Sequence, residues 1–198
     1  MKKRIISLAL VVLMMALVVC AFSSCKKDPY EVTHRATIVI KDYGTIELEL
    51  YGNLAPETVE NFVKLASEGF YDGTTFHRII SGFMIQGGGF TESGAYKEAD
   101  NIKGEFSANG FDNPLLHERG VISMARGNDM DSASSQFFIM HQNYPSLNGQ
   151  YAAFGRVTSG IEVVDEICYY VPVVPGSDGQ VKAIDRPVIV SVTVEAVK

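Results

Sequence analysis

Several chemistries are excluded by what this sequence lacks. Its four histidines, His34, His77, His117 and His141, are scattered, and none pairs with another at metal-ligand spacing. His117-Glu118-Arg119-Gly120-Val121 begins like a zinc-protease helix but has no second histidine. No serine occupies a Gly-x-Ser-x-Gly elbow. Gly87-Gly88-Gly89 is not followed by Lys and Ser or Thr, so it is no phosphate loop and reads as a tight turn. Asp129 and Asp131 lack the turn glycine and final glutamate of a calcium loop and read as surface. Neither a metal nor a cofactor is expected. Positive charge is also scarce: the net charge is −6, and Lys2, Lys3 and Arg4 already supply part of the basic total. That balance argues against nucleic acid, which is bound through clustered Lys and Arg. There is no internal repeat, and 198 residues suffice for one domain with a sizeable core.

Cysteine is nearly as scarce, with Cys20, Cys25 and Cys168 alone. The first two belong to an N-terminal address: basic Lys2-Lys3-Arg4, an apolar run from Ile5 to Phe22, then Ser23-Ser24-Cys25 and polar Lys26-Lys27-Asp28-Pro29. Phe22-Ser23-Ser24-Cys25 resembles a bacterial lipobox, cut before a lipidated cysteine; Val19 makes Cys20 the poorer site. An uncleaved membrane anchor is the alternative, since the run is long enough to span. The expected organisation is a signal peptide at 1–24, a lipidated tether at 25–32 and a folded domain at 33–198. Either way the domain would be tethered in the cell envelope, outside the cytoplasmic membrane, and in the lipobox reading Cys25 is the lipid attachment point. Cys168 is then the single remaining cysteine, expected as a buried, inert thiol.

The folded part reads mostly as strand. Thr33–Ile40, the Asp42-Tyr43-Gly44 turn and the alternating Thr45–Leu50 predict a hairpin. Pro56 opens a helix with Glu57 at its positive end, Val59, Phe62, Val63 and Ala66 share one face, and Gly69 stops it. Short apolar runs follow at Thr75–Ile80, Phe83–Gln86, Val121–Met124, Gln136–Met140 and Tyr151–Val157. A second helix is predicted over Ile161–Ile167, a loop over Tyr169–Pro187 and a closing strand over Val188–Val194. This spacing predicts an antiparallel sandwich or barrel rather than a parallel sheet alternating with helices.

What remains for function is the stretch from Phe76 to Phe90, which sets the cation of Arg78 near apolar Phe83 and Met84 and the amide of Gln86. Such a group suits a substrate that is polar at one point only, as a prolyl peptide bond is. On spacing alone, Arg78, Phe83, Met84, Gln86, Gln136, Phe138 and Leu147 read as ordinary core and surface. Three residues weigh the other way: Arg78 lies in an apolar strand, where an unpaired charge is costly, and Gln86 and Gln136 each interrupt an apolar run.

Four motifs carry a resemblance that covers the chain from Ala36 onward. They are Phe76-His77-Arg78-Ile79-Ile80-x-Gly82-Phe83-Met84-x-Gln86-Gly87-Gly88, Ile122-Ser123-Met124-Ala125, Ser135-Gln136-Phe137-Phe138-Ile139, and Leu147-x-Gly149-x-Tyr151-Ala152-x-Phe154-Gly155. In order and spacing they resemble the cyclophilin-type peptidyl-prolyl cis-trans isomerases. The resemblance implies a closed eight-stranded antiparallel β-barrel capped by two α-helices, with the site on an outer face. It implies Arg78 as the catalytic residue and a proline pocket of Phe83, Met84, Phe138 and Leu147. Gln86 would hydrogen-bond substrate and orient Arg78, the backbone at Arg126 and the side chain of Gln136 would hold neighbouring peptide groups with Ala125 beside them, and Tyr151 would wall the pocket. Proline-containing peptides and unfolded exported proteins would be the partners of a monomeric enzyme, without nucleic acid. Ser146, Tyr151 and Arg126 stand where many eukaryotic members carry Trp, His and Asn, and Ser81 replaces a common Pro. The small Ser146 implies weak cyclosporin binding. A non-catalytic peptide-binding module on the same fold and a general chaperone are the competing readings.

Overall fold

Residues 30–197 are described by the structure, a computed structural model; the basic and apolar N-terminal segments and Cys25 lie outside them. The first hairpin forms as its alternation requires. Strands β1 (His34–Ile40) and β2 (Gly44–Leu50) pair antiparallel from His34 opposite Leu50 to Ile40 opposite Gly44. Ala36, Ile38, Ile40, Ile46, Leu48 and Leu50 are buried, while Arg35 and Glu47 are exposed.

Helix α1 (Pro56–Ser67) buries Val59, Phe62, Leu65 and Ala66. Phe62 packs at 5.2, 5.7 and 5.4 Å from the rings of Tyr71, Phe137 and Phe154, which anchors the helix over the sheet. Gly69, at φ 65, ends it. Its start has an unforeseen partner. Ala55 has no side chain to cap with, and the buried carboxylate of Glu105 instead accepts the N–H groups of Glu57 (3.1 Å) and Thr58 (2.8 Å). A carboxylate there satisfies two orphan donors and meets the positive end of the helix dipole.

Six further strands and one helix follow: β3 (Thr74–Ile80), β4 (Met84–Thr91), β5 (Val121–Met124), β6 (Phe137–Met140), β7 (Ala153–Ser159), α2 (Ile161–Tyr170) and β8 (Ile189–Ala196). Helix α2 runs three residues beyond the expected Ile167 and buries Val163, Val164 and Ile167. All eight strands form one antiparallel sheet in the order β3-β4-β6-β5-β7-β2-β1-β8.

The sheet is curled but open, which corrects the expected closed barrel. Its edge strands β3 and β8 meet through an isolated bridge, Thr75 to Val188, and through backbone bonds from Phe76 to Pro187 and from Gly73 to Ile189. Pro187 has no N–H to return, so the ladder cannot propagate there. Farther along, the free edge of β3 pairs with the 173–181 loop. Ile79 donates to Gly179 O, and Val181 donates to His77 O.

A second correction concerns Gly87, Gly88 and Gly89, which lie inside β4 rather than in a tight turn. They form a bulge opposite Thr75 and Phe76. A Cβ on Gly88 would lie 2.9 Å from the Phe137 ring, and one on Gly89 2.5 Å from Gln136 Cγ. Neighbouring strands therefore approach closely because these residues have no side chain.

Two apolar clusters result. The inner one packs Phe62, Phe76, Phe137, Ile139 and Phe154 under α1 and α2. The outer one gathers Met84, Phe138, Met140, Leu115, Val121 and Ala153, with Phe83, Ala125, Leu147 and Tyr151 partly covered at its edge. The candidate site lies there.

Candidate active site

Strand register aligns the polar residues of this outer face. Arg78 on β3 is opposite Gln86 on β4, Gln86 is opposite Phe138 on β6, and Phe138 is opposite Ser123 on β5. The register shift around His77 brings Arg78 across from Gln86. Arg78, Phe83, Met84, Gln86, Ala125, Arg126, Phe138, Leu147 and Tyr151 line one cleft of roughly 110 Å³. That is the scale of the ~150 Å³ apolar cavities that accept a single ring. Gln136 stands behind them and accepts a hydrogen bond from Gln86 Nε2 at 3.0 Å.

The guanidinium of Arg78 is held from two sides. Nη1 donates to Gln86 Oε1 at 3.3 Å, Nε donates to the Asp178 carbonyl at 3.0 Å, and Nη2 pairs with Asp178 Oδ2 at 2.7 Å. Three of five N–H groups are thereby engaged, which leaves one on each terminal nitrogen. The cation that would be costly to leave unpaired in an apolar strand thus has a counter-ion, from the loop that borders β3. Asp178 adopts φ 57, and Gly179 after it is pressed so close to β3 that a Cβ would lie 2.6 Å from Ile79 O.

The apolar wall is supported from behind. Phe138 meets Tyr151 edge-on at 5.8 Å and stacks at 5.9 Å on His117, a buried ring. His117 Nδ1 lies 3.3 Å from Asn148 Oδ1, which also accepts the His117 backbone N–H at 2.7 Å. Since that oxygen can only accept, Nδ1 carries the proton and Nε2 accepts from Ser123 Oγ at 3.0 Å. Burial pushes His117 down to about 4, against a weaker opposing effect of Asn148. Phe83 packs against Tyr144 at 4.3 Å with the rings tilted by 41°, and its carbonyl accepts from the His141 N–H at 2.9 Å.

Arg126 occupies the other rim. Its guanidinium lies 5.1 Å from the Phe106 ring and 4.9 Å from that of Tyr151, with Nε donating to the Gln150 carbonyl at 3.2 Å. Away from the cleft, the thiol of Cys168 is pushed up to about 12, chiefly by burial and further by Asp165, which leaves it protonated and unreactive.

All the expected side chains are brought together except Cys25, which falls outside the described residues. Sequence reasoning missed Asp178, Asn148, Tyr144 and Phe106, none of which carries a local signal. It also passed over His117, although a serine at position 123 inside an apolar strand was a sign that some buried polar partner must exist.

A family model described as cyclophilin type peptidyl-prolyl cis-trans isomerase/CLD matches residues 35–194. Peptidyl-prolyl cis-trans isomerase B of Bacillus subtilis is 49% identical over 124 residues, covering 63% of this chain and 83% of that protein. Peptidyl-prolyl cis-trans isomerase A of Dickeya dadantii is 41% identical over 173 residues, covering 84% and 85%. A cyclophilin-type isomerase of Cryptosporidium parvum, solved in the presence of the dipeptide Ala-Pro, superposes with a TM-score of 0.69 at 28% identity over 81% of this chain and 98% of that one.

Proposed function

This chain belongs to the cyclophilin-type peptidyl-prolyl cis-trans isomerase family, and on that premise we propose that it isomerises X–Pro bonds in exported polypeptides, with Arg78 as the catalytic residue. The observation that carries this reading is the Arg78 guanidinium, which keeps N–H groups uncommitted among the described residues and lines a cleft of ring size walled by Phe83, Met84, Phe138 and Leu147. The uncatalysed barrier is ~18–20 kcal/mol because rotation breaks amide resonance. As the bond twists, its nitrogen pyramidalises and regains a lone pair. A cationic donor beside that nitrogen then favours the twisted state over either planar one.

Arg78 cannot do this unaided. An acceleration of ~10⁶ needs about 8 kcal/mol, whereas one charge-assisted hydrogen bond contributes roughly 1.5–3 kcal/mol. Phe83, Met84, Phe138 and Leu147 would grip the pyrrolidine ring while the acyl side rotates, and Gln86 would hold Arg78 toward it. The polar peptide groups flanking the proline would meet Gln136 and the backbone at Ala125 and Arg126.

The export context rests on the basic start, the apolar run and Cys25 of the sequence. A lipidated Cys25 would tether the domain in the cell envelope, and the small Ser146, next in the chain to Leu147 of the cleft, favours weak cyclosporin binding. The test of activity is a prolyl-peptide isomerisation assay on the full chain in detergent. Catalysis that is lost in Arg78→Ala is expected. A folded chain that binds prolyl peptides without accelerating their isomerisation would instead make it a binding module. Suppression of aggregation that persists in Arg78→Ala would point to a chaperone.

A further inference from the structure

The two cations of the cleft are in different electrostatic states. Arg78 is compensated by Asp178, as Arg35, Arg119 and Arg156 are by Glu49, Asp165 and Glu118. Arg126 lines the same cleft and has no carboxylate within ion-pair distance among the described residues. Its hydrogen bonds all go to backbone carbonyls: Nε to Gln150 at 3.2 Å, and Nη1 to Gly127 at 2.9 Å and Asn128 at 3.5 Å. Nη2 makes none of them, so among the described residues both of its N–H groups are uncommitted.

The position of this cation is built rather than incidental. The faces of Phe106 and Tyr151 hold the guanidinium, and the carbonyls fix its opposite edge. A group oriented in advance in this way loses little freedom when it binds a ligand. It is also set in a chain of net charge −6, whose long-range field repels anions. Any attraction for an anion at this rim must therefore be local.

We propose that Arg126 forms a carboxylate subsite beside the proline pocket and gives the enzyme a preference for prolyl segments with Glu or Asp flanking the proline. The inference rests on the isomerase reading above. A carboxylate accepts from the free Nη2 edge and meets the charge that the chain itself leaves uncompensated.

The test compares acetylated peptides that differ only in Glu versus Gln, placed before or after the proline. Isomerisation is followed by exchange NMR and affinity by titration on the full chain in detergent. At low salt the Glu peptide should have kcat/KM about three- to fivefold above its Gln counterpart in at least one position, the range for an exposed ion pair. The ratio should approach one in high salt and in Arg126→Gln, and should fall below one in Arg126→Glu. Arg126→Met keeps the aliphatic stem over the rings and serves if Arg126→Gln does not fold. A wild-type ratio near one in both positions, or an equal ratio after Arg126 is neutralised, overturns the proposal. A purely structural role for Arg126 would change both peptides alike. If no peptide is isomerised at all, the activity reading fails, while the affinity ratio still reports on the subsite.

Discussion

At the scale of single residues, burial settles the ionisation of two rings, His77 next to Arg78 on β3 and His117 behind the cleft wall. Burial pushes both down to about 4, and at His77 the neighbouring Arg186 and Arg78 add to the effect. Between about pH 6.5 and 4 the unfolded chain binds more protons than the folded one, so stability rises with pH across that window. The contribution of each neutral ring is complete above about pH 6.5. It is lost as the pH falls toward 4, on the order of 3 kcal/mol per ring. Urea unfolding at pH 7 and at pH 4.5 should show this loss, and His117→Gln should make it smaller. An unchanged pH slope in that variant would contradict the assignment of His117 as a neutral ring holding Ser123 and Asn148.

At the scale of elements, two loops do work that the regular structure cannot do. The first carries Glu105 to the start of α1. Glu105→Ala strands two helix N–H groups and should cost about 2–4 kcal/mol, read from denaturant unfolding. A loss within experimental error would mean that water replaces the cap. The second carries Asp178 and Gly179 against β3. Gly179→Ala places a methyl group against Ile79 O and Ile80 at a positive φ, so the loop must lift and take the counter-ion of Arg78 with it. The expected cost is about 1–3 kcal/mol of stability together with a fall in kcat/KM. Normal kcat/KM in the folded variant would show that Arg78 does not need Asp178. These are also the elements hardest to see in the sequence. The apolar face of α1 was legible because Val59, Phe62 and Ala66 recur at the helical period. Glu105 and Asp178 were not, because their partners lie 48 and 100 residues away in the chain. Strand β4 was read as ending near Gln86 because three glycines look like a turn, whereas here they form a bulge.

At the scale of the whole molecule, the four motifs that resembled a family in sequence converge on one outer face of a curled sheet. The closed barrel that their resemblance implied is not formed, because closure depends on how β3 and β8 meet, and Pro187 with the 173–181 loop decides that locally. The proposed tether would be short. Tyr30 already packs 5.3 Å from the Tyr51 ring, so residues 25–30 would reach roughly 20 Å from a lipidated Cys25. Mass spectrometry of the mature N-terminus should find a lipidated Cys25, and an intact Met1 would refute that processing.

The central claim is that Arg78 acts on the twisted state and not on the bound peptide, and exchange NMR of one prolyl peptide with wild type and Arg78→Ala tests it most directly. The catalysed interconversion rate should fall by about 10²–10³, the usual cost of removing a donor aimed at developing charge, while peptide affinity stays within a few-fold. A variant that keeps its rate but loses affinity would show that Arg78 only holds the substrate.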